Sequence, residues 1–374
     1  MRKKVIVAGH ICLDITPIFP CRNTSAVSDI LQPGKLIEMG EADVHTGGAV
    51  ANTGLGMKIL GADVSLMGKV GKDAFGDMIC SILHKYDADD GVIRSEQEST
   101  SYSVVLAIPG VDRIFLHHPG ANHTFNAEDI SMKDLQETAL FHFGYPPLMR
   151  SMYENEGSEL VALFQKAKNA GCATSLDLAA VDPKSEAGKA DWNRILQKVI
   201  PYVDFFVPSV EELCFMLEPD RFEEWQNRAR GKDIIEVIDI EQDVKPLARK
   251  CMEYGAKVLV IKCGVSGMYY CTANNIHLFG KIGNKVELDI SMWEGKEGFE
   301  KSYVPDKVLS GTGAGDTSIA AFLTAMLQGD SLEDCMHLAA ATGASCVATY
   351  DALSGLVPLD ELRKKIAAGW EKNN

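Results

Sequence analysis

The chain has 374 residues, of which 46% are hydrophobic and 24% charged, enough to build a sizeable core in one large α/β domain or two smaller ones. A formal net charge of −15 leaves no excess basic surface and argues against sequence-independent nucleic-acid binding. No run of about 18 apolar residues is present, so no transmembrane helix is expected. The apolar run behind the basic Met1–Lys4 breaks at Gly9-His10, too early for a signal peptide. The ten cysteines form no C-x-x-C pair, which predicts reduced, buried thiols in a cytoplasmic protein rather than disulfides or a zinc site.

Lys4–Ala8 is a short β-branched run that predicts a buried strand of a parallel sheet. Asp14 follows just past its end, where open α/β sheets bind ligands. Residues 15–45 are rich in Pro, Gly and Ser, and Leu36-Ile37-Glu38-Met39 predicts a short, partly exposed strand. Thr46-Gly47-Gly48 then opens a helix predicted to run to about Leu60. Paired glycines let backbone approach a polyhydroxyl ligand, and Asn52 offers a donor and an acceptor one turn in. Strand–helix alternation continues over Asp63–Val70 and Ala74–Tyr86. Ser101–Ile108 and Arg113–His117 flank Pro109-Gly110-Val111-Asp112, a hairpin signal. The two irregular segments, about 15–45 and 99–119, predict a small antiparallel sheet set as a lid over the strand ends of a single domain spanning 1–374.

From Ala139 the alternation is regular. Strands are predicted at Leu140–Phe143, Ala173–Leu178, Asp204–Val207 and Val258–Lys262, and helices near Ser158–Asn169, Trp192–Ile200 and Val244–Tyr254. This is the signature of βαβ units with a mostly parallel sheet covered on both faces. Polar residues sit at the strand ends: Asp177, Ser209 with Glu212, and Lys262 followed by Gly264 and Gly267. The charged or irregular segments 219–243 and 281–303 are expected to be surface insertions. Gly311-Thr312-Gly313-Ala314-Gly315-Asp316 leads into a predicted helix over Ala314–Gly329, and a second follows at Leu332–Thr349. A glycine turn at a helix start offers free N–H groups and the positive end of a dipole to an anion. Asp316, on the first turn, is placed to accept a proton. An anion site beside a carboxylate base is what phosphoryl transfer to a hydroxyl requires.

Gly47-Gly48…Asn52 early in the chain and Gly313-Ala314-Gly315-Asp316 late in it together resemble the two signatures of the ribokinase-like (pfkB) carbohydrate kinases. Asp14, Pro119-Gly120-Ala121-Asn122 and Gly264-Val265-Ser266-Gly267 fall in the same order as in that family, over nearly the whole chain. The resemblance implies a three-layer α/β fold with a small β-sheet lid and an ATP-dependent kinase that uses Mg²⁺. It implies Asp316 as the base and the amides of Gly313, Ala314 and Gly315 as the cradle of the transferred phosphoryl group. It likewise implies Asp14, Gly47, Gly48 and Asn52 on the sugar, Lys262, Gly264 and Gly267 along the nucleotide, and Glu212 ordering Mg²⁺ through water. Asp177 would lie near the phosphates. A homodimer through the lid also enters with the family.

Three departures are visible. The family's Asn-x-x-Glu element reads Ser209-Val210-Glu211-Glu212. Ser310-Gly311-Thr312 stands where Asp-Thr-Thr is usual, and the lost carboxylate weakens the inference of a monovalent-cation site. Gly144-Tyr145 follows the strand where ribokinases proper place a Glu, which argues against ribose itself. A nucleoside kinase of the same fold would want an aromatic pocket near the lid, for which Phe115, Tyr102 and Tyr145 are candidates, although strand-face packing is the expected role of all three. A non-catalytic sugar-binding protein would not need Asp316. The P-loop motif G-x-x-x-x-G-K-[ST] is absent, and a dinucleotide fingerprint would need Gly where Asp316 stands. His45, His117, His118, His123 and His142 lack metal-ligand spacing, so none is expected to be catalytic.

Overall fold

The structure, a computed structural model, describes residues 3–19, 27–108 and 114–373. In chain order the strands are β1 (Lys4–Gly9), β2 (Cys12–Pro17), β3 (Ala42–Gly47), β4 (Asp63–Met67), β5 (Lys69–Gly71), β6 (Ile93–Ser95) and β7 (Tyr102–Leu106). They continue with β8 (Ile114–His118), β9 (Leu140–Gly144), β10 (Ala173–Asp177), β11 (Phe205–Phe206), β12 (Val258–Lys262), β13 (Gly267–Thr272) and β14 (Glu297–Lys301). Eight of them form the main sheet in the order β14-β13-β12-β11-β10-β9-β1-β4. It is parallel except at one edge, where β13 runs against β12 and β14 against β13.

β1 shows why its sequence reads as an unbroken apolar run. Val5 and Val7 enter one core, Ile6 and Ala8 the other, so both pleats are covered and no polar alternation is tolerated. Helices Ala49–Ile59, Ala74–His84, Ala314–Gln328 and Leu332–Cys346 carry the first core. Helices Ser158–Asn169, Trp192–Val199, Val210–Leu217 and Lys245–Glu253 carry the second. The result is the expected three-layer α/β arrangement. Small residues bring helices Ala49–Ile59 and Ala314–Gln328 together closely: a Cβ on Gly56 would lie 3.0 Å from that of Ala320.

β3-β2-β7-β8 make a second, smaller sheet. β2 pairs antiparallel with β3, with Asp14 opposite His45, and β7 pairs antiparallel with β8. The central β2–β7 pair is parallel, not antiparallel, because both strands leave the body of the domain in the same direction. The hairpin residues 109–113 lie outside the described residues. The small sheet begins at Cys12, so Asp14 is a residue of β2 and not of a loop after β1. Leu36–Met39 forms no strand: Leu36 is fully exposed, and the partner position beside β2 is taken by β3.

Segments 219–243 and 281–303 are packed rather than appended. In the first, the Trp225 indole is buried and donates to Asp243 Oδ1 at 3.1 Å, while Arg228 donates to Oδ2 at 2.7 Å. The second supplies β14, and Trp293 is buried edge-on against Phe205 and Phe322 at centroid distances of 6.0 and 5.9 Å. An indole hides more apolar area than the charged residues around it reveal, so composition alone misplaces such a segment. Nine cysteines among the described residues are free, and all but the half-buried Cys80 are buried.

Candidate active site

β1 and β9 are neighbours in the sheet, yet the chain continues from β1 toward β4 and from β9 toward β10. Their carboxyl ends therefore open a crevice at the point where strand order reverses. Between β1 and β2 the chain crosses from the large sheet to the small one in two residues, His10 and Ile11. Asn122 serves as a strand neighbour there: its Oδ1 accepts from Ile11 N–H at 3.1 Å and its Nδ2 donates to Ile11 C=O at 2.9 Å. This gives Pro119-Gly120-Ala121-Asn122 a structural task.

Along β2, Leu13 and Ile15 turn into the core, while Asp14 and Thr16 face a cavity of about 1000 Å³. Asn52 and His45 line the same cavity, with Thr312 and Asp351 across it. Burial raises the Asp14 carboxyl above its usual range, opposed by hydrogen bonds from Cys12 and Ser103. Gly47 is glycine because a Cβ would lie 2.1 Å from Asp14 Oδ2. Gly48 has φ 86° and ψ 165°, a backbone region open essentially to glycine alone, and a Cβ there would meet the His10 carbonyl oxygen at 2.5 Å.

Gly313, at φ 74°, turns the chain into helix Ala314–Gln328, and no side chain caps the start. Of the first-turn N–H groups, which have no partner within a helix, Ala314 N–H donates to the Gly311 carbonyl at 3.4 Å, and those of Gly315 and Asp316 are left to whatever binds there. A Cβ on Gly315 would come 3.5 Å from Lys262 Cδ, so the lysine from the end of β12 lies across this helix start. Lys262 Nζ donates to Asp177 Oδ1, at the end of β10, at 2.7 Å. Burial alone would lower the lysine, but Asp177 and Glu212 outweigh it and hold Lys262 above its ordinary range.

Asp316 is 5% exposed and densely bonded. Asn52 Nδ2 donates to Oδ2 at 2.9 Å, Tyr145 Oη to Oδ1 at 2.7 Å, and Thr53 Oγ1 to Oδ1 at 3.4 Å. Asn52 thus reaches the aspartate as well as the cavity. Tyr145 was not foreseen in this place. It follows β9 with φ 68° and ψ 43°, a left-handed conformation that costs a bulky residue about 1–3 kcal/mol. Burial, then the Asp316 charge, push its phenol well above the usual range. The only sequence signal was its occupation of a position where the family's ribokinases carry Glu.

Glu212 caps its own helix. Its Oε2 accepts from Ser209 N–H at 3.0 Å while Ser209 Oγ accepts from Glu212 N–H at 3.4 Å, a reciprocal capping box. Serine does this as well as asparagine, which accounts for the departure at 209. Gly264 and Gly267 answer to protein packing: at φ 53° a Gly264 Cβ would come 3.1 Å from Ile235 Cγ1, and at φ 128° a Gly267 Cβ would lie 2.0 Å from the Glu300 carbonyl oxygen. Neither lines the large cavity. The structure thus gathers Asp14, Gly47, Asn52, Asp316, Gly315, Lys262 and Asp177, while Gly264 and Gly267 follow Lys262, in the turn after β12 and at the start of β13. Buried polar atoms remain unpartnered among the described residues at both His10 nitrogens, His142 Nε2 and Asp177 Oδ2. No group of three or more His, Cys, Asp or Glu is arranged to hold a metal by itself among the described residues, and no helix among them is long and apolar enough to cross a membrane.

Known proteins share this architecture. The family model for pfkB family carbohydrate kinases matches residues 3–358. A 5-dehydro-2-deoxygluconokinase of Clostridium beijerinckii is 23% identical over 366 residues, covering 97% of this chain and 92% of that protein. A probable fructokinase-7 of Arabidopsis thaliana is 24% identical, covering 86% of this chain and 84% of its own length. The structure of Arabidopsis thaliana ribokinase complexed with ribose and ATP superposes with a TM-score of 0.69 at 19% identity, covering 97% of this chain and 98% of the other. With the expected sheets, the crevice and this match over nearly its full length, the chain belongs to the pfkB family of carbohydrate kinases, phosphotransferases with an alcohol group as acceptor.

Proposed function

We propose that the protein transfers the γ-phosphoryl group of Mg²⁺-ATP to a hydroxyl of a small sugar or sugar-like compound held between the small sheet and the start of helix Ala314–Gln328. One observation carries this: a buried carboxylate, Asp316, sits on the first turn of an uncapped helix, beside Lys262 and linked through Asn52 to the cavity that Asp14 faces. ATP, when bound, supplies the phosphoryl group. The amides of Gly313, Ala314 and Gly315 would hold the charge that spreads over that group, with Lys262 adding a cation. Asp316 would take the proton of the attacking hydroxyl. Asp14, Asn52 and the backbone of Gly47 and Gly48 would hold the other hydroxyls.

The donor set fits Mg²⁺ held mainly through water and phosphate oxygens, as is usual for this ion. One Glu212 oxygen is engaged in its capping box and Asp177 is paired with Lys262, so no protein cage is available. A monovalent cation fits less well, since Ser310 brings a hydroxyl in place of a carboxylate and already accepts from Thr312 N–H at 3.1 Å. A nucleoside acceptor is disfavoured by where the aromatics go. Tyr102 packs on Phe75 and His118, and the Tyr145 hydroxyl is spent on Asp316. Phe115 alone of the three faces the cavity. The small sheet would serve as the lid, and its outer strand β8 has one edge unpaired among the described residues, suited to pairing with a second copy.

The test is coupled ADP release with Mg²⁺-ATP against ketoses, aldoses, sugar acids, sugar phosphates and nucleosides. Turnover of one sugar supports the proposal and fixes the acceptor. Turnover of nucleosides alone would replace it, and failure to bind ATP would refute it.

A further inference from the structure

The hydrogen bonds around Asp316 distinguish its two oxygens. An ionised carboxylate offers about four lone-pair directions. Tyr145 and Thr53 occupy both on Oδ1, and Asn52 occupies one on Oδ2. Because Asn52 also lines the cavity, the remaining direction belongs to the oxygen on the acceptor side. We propose that Tyr145 is a positioning residue for Asp316, anchoring Oδ1 so that Oδ2 receives the acceptor proton. This rests on the kinase reading above and adds the division of labour within its base. In the transfer step the acceptor O–H gives its proton to Oδ2, the freed oxygen pair forms the new O–P bond, and the P–O bond to ADP breaks with its electron pair leaving on ADP.

Three features separate this contact from ordinary aromatic packing. Tyr145 is held in left-handed backbone, a conformation that persists only where its surroundings over-determine it. They do so here: its N–H donates to the Asp177 carbonyl at 3.3 Å, its carbonyl accepts from Leu148 N–H at 3.0 Å, and Pro146-Pro147 follow directly. Its ring lies beside the buried His10 ring, at a centroid distance of 6.1 Å, which gives the phenol a fixed backing. The hydroxyl then points at the aspartate and at no other side chain with a hydrogen bond among the described residues.

The charged and titratable groups around Asp316 are Lys262 and Asp177 from the sheet, Glu212 from helix Val210–Leu217, Cys346 from helix Leu332–Cys346, and Tyr145 itself. Of these, Tyr145 is the one that bonds to the carboxylate directly. Losing a donor to the ionised form raises the pKa of a carboxylate. In Tyr145→Phe, the acidic limb of the kcat–pH profile for an identified acceptor should move up by about one pH unit. kcat should fall about 10- to 100-fold while KM for ATP stays within about twofold. A lower kcat with an unmoved limb would mean mere packing, and wild-type values throughout would mean no role; either overturns the proposal. A second measurement needs neither an acceptor nor that variant. With ¹³Cζ-labelled tyrosine, one resonance of the wild-type protein should titrate above the ordinary phenol range and come down in Asp316→Asn. No tyrosine resonance responding to Asp316→Asn would refute the hydrogen bond. If the wild type turns over nothing on the panel, the kinase reading fails on its own, and the NMR result still decides the contact.

Discussion

Gly47 and Gly48 are adjacent, yet an added methyl group should do different things at each. At Gly47 the backbone is ordinary for an L-residue, and the methyl of Gly47→Ala would land 2.1 Å from Asp14 Oδ2 and 2.6 Å from its Cγ. Backbone is not in the way, so the strain falls on the Asp14 side chain, which must swing off Cys12 Sγ, now 3.3 Å away. If Asp14 holds an acceptor hydroxyl, the charge-assisted bond lost is worth about 1.5–3 kcal/mol. That corresponds to about 10- to 100-fold in kcat/KM for the acceptor, with KM for ATP and the melting temperature close to wild type. At Gly48 the methyl would press on the His10 carbonyl oxygen at 2.5 Å from a backbone with φ 86°. A conformational cost of about 1–3 kcal/mol adds to that clash, so Gly48→Ala should lower the melting temperature by about 1–4 °C from the backbone alone and by more with the clash. Coupled ADP release against acceptor concentration, with thermal melts of both variants, measures the contrast. Wild-type acceptor kcat/KM in Gly47→Ala would remove Asp14 from the acceptor site. A Gly48→Ala protein as stable as wild type would refute the steric reasoning.

Asp316→Asn should reduce kcat by about 10²–10⁴-fold yet fold, since the asparagine can keep accepting from Tyr145 if the Asn52 amide turns over; unimpaired turnover would discard Asp316 as the base. Burial raises the Asp177 carboxyl to about 8, so Lys262→Met should destabilise most above that pH, by up to about 3–5 kcal/mol in urea unfolding, where the 1%-exposed Asp177 side chain is charged without its cation, and adding Asp177→Asn should recover most of that loss. Burial lowers the His142 imidazole from 6.5 to about 3. The unfolded chain therefore takes up a proton as pH falls below about 6.5 while the native chain resists until about 3, so stability present above 6.5 is lost across that window at up to about 1.4 kcal/mol per pH unit. Unfolding midpoints of His142→Gln should depend less on pH over the same range, and an equal slope would contradict it.

The elements that sequence conveys best here are those whose signal is local. Val258–Lys262 and Ser158–Asn169 appear at their expected bounds because one has an unbroken apolar run up to Lys262 and the other an amphipathic period between breakers. The glycine turn before Asp316 was legible for the same reason. What failed depended on partners far along the chain. Leu36–Met39 has strand-like residues, but the position beside β2 is taken by β3, and β14 looks charged because its pairing with β13 is a backbone matter. Tyr145 is the clearest case at the site. Its hydroxyl meets a residue 171 positions away, and its unusual backbone combines a local bond from Leu148 with one to Asp177; no window around residue 145 contains either aspartate. Gly264 and Gly267 show the converse, a motif whose glycines are already demanded by Ile235 and Glu300.

The crossing from β1 to β2 bears on which changes in chain length the protein can absorb. Side chains alternate faces along a strand, so adding or deleting one residue between Gly9 and Cys12 would turn Asp14 toward the core and Leu13 or Ile15 toward the cavity. It would also carry Ile11 away from the paired amide contacts of Asn122. A charged group would enter apolar packing in the same event that emptied the cavity of its carboxylate. Loops elsewhere can lengthen at little entropic cost, but this two-residue link has a fixed parity.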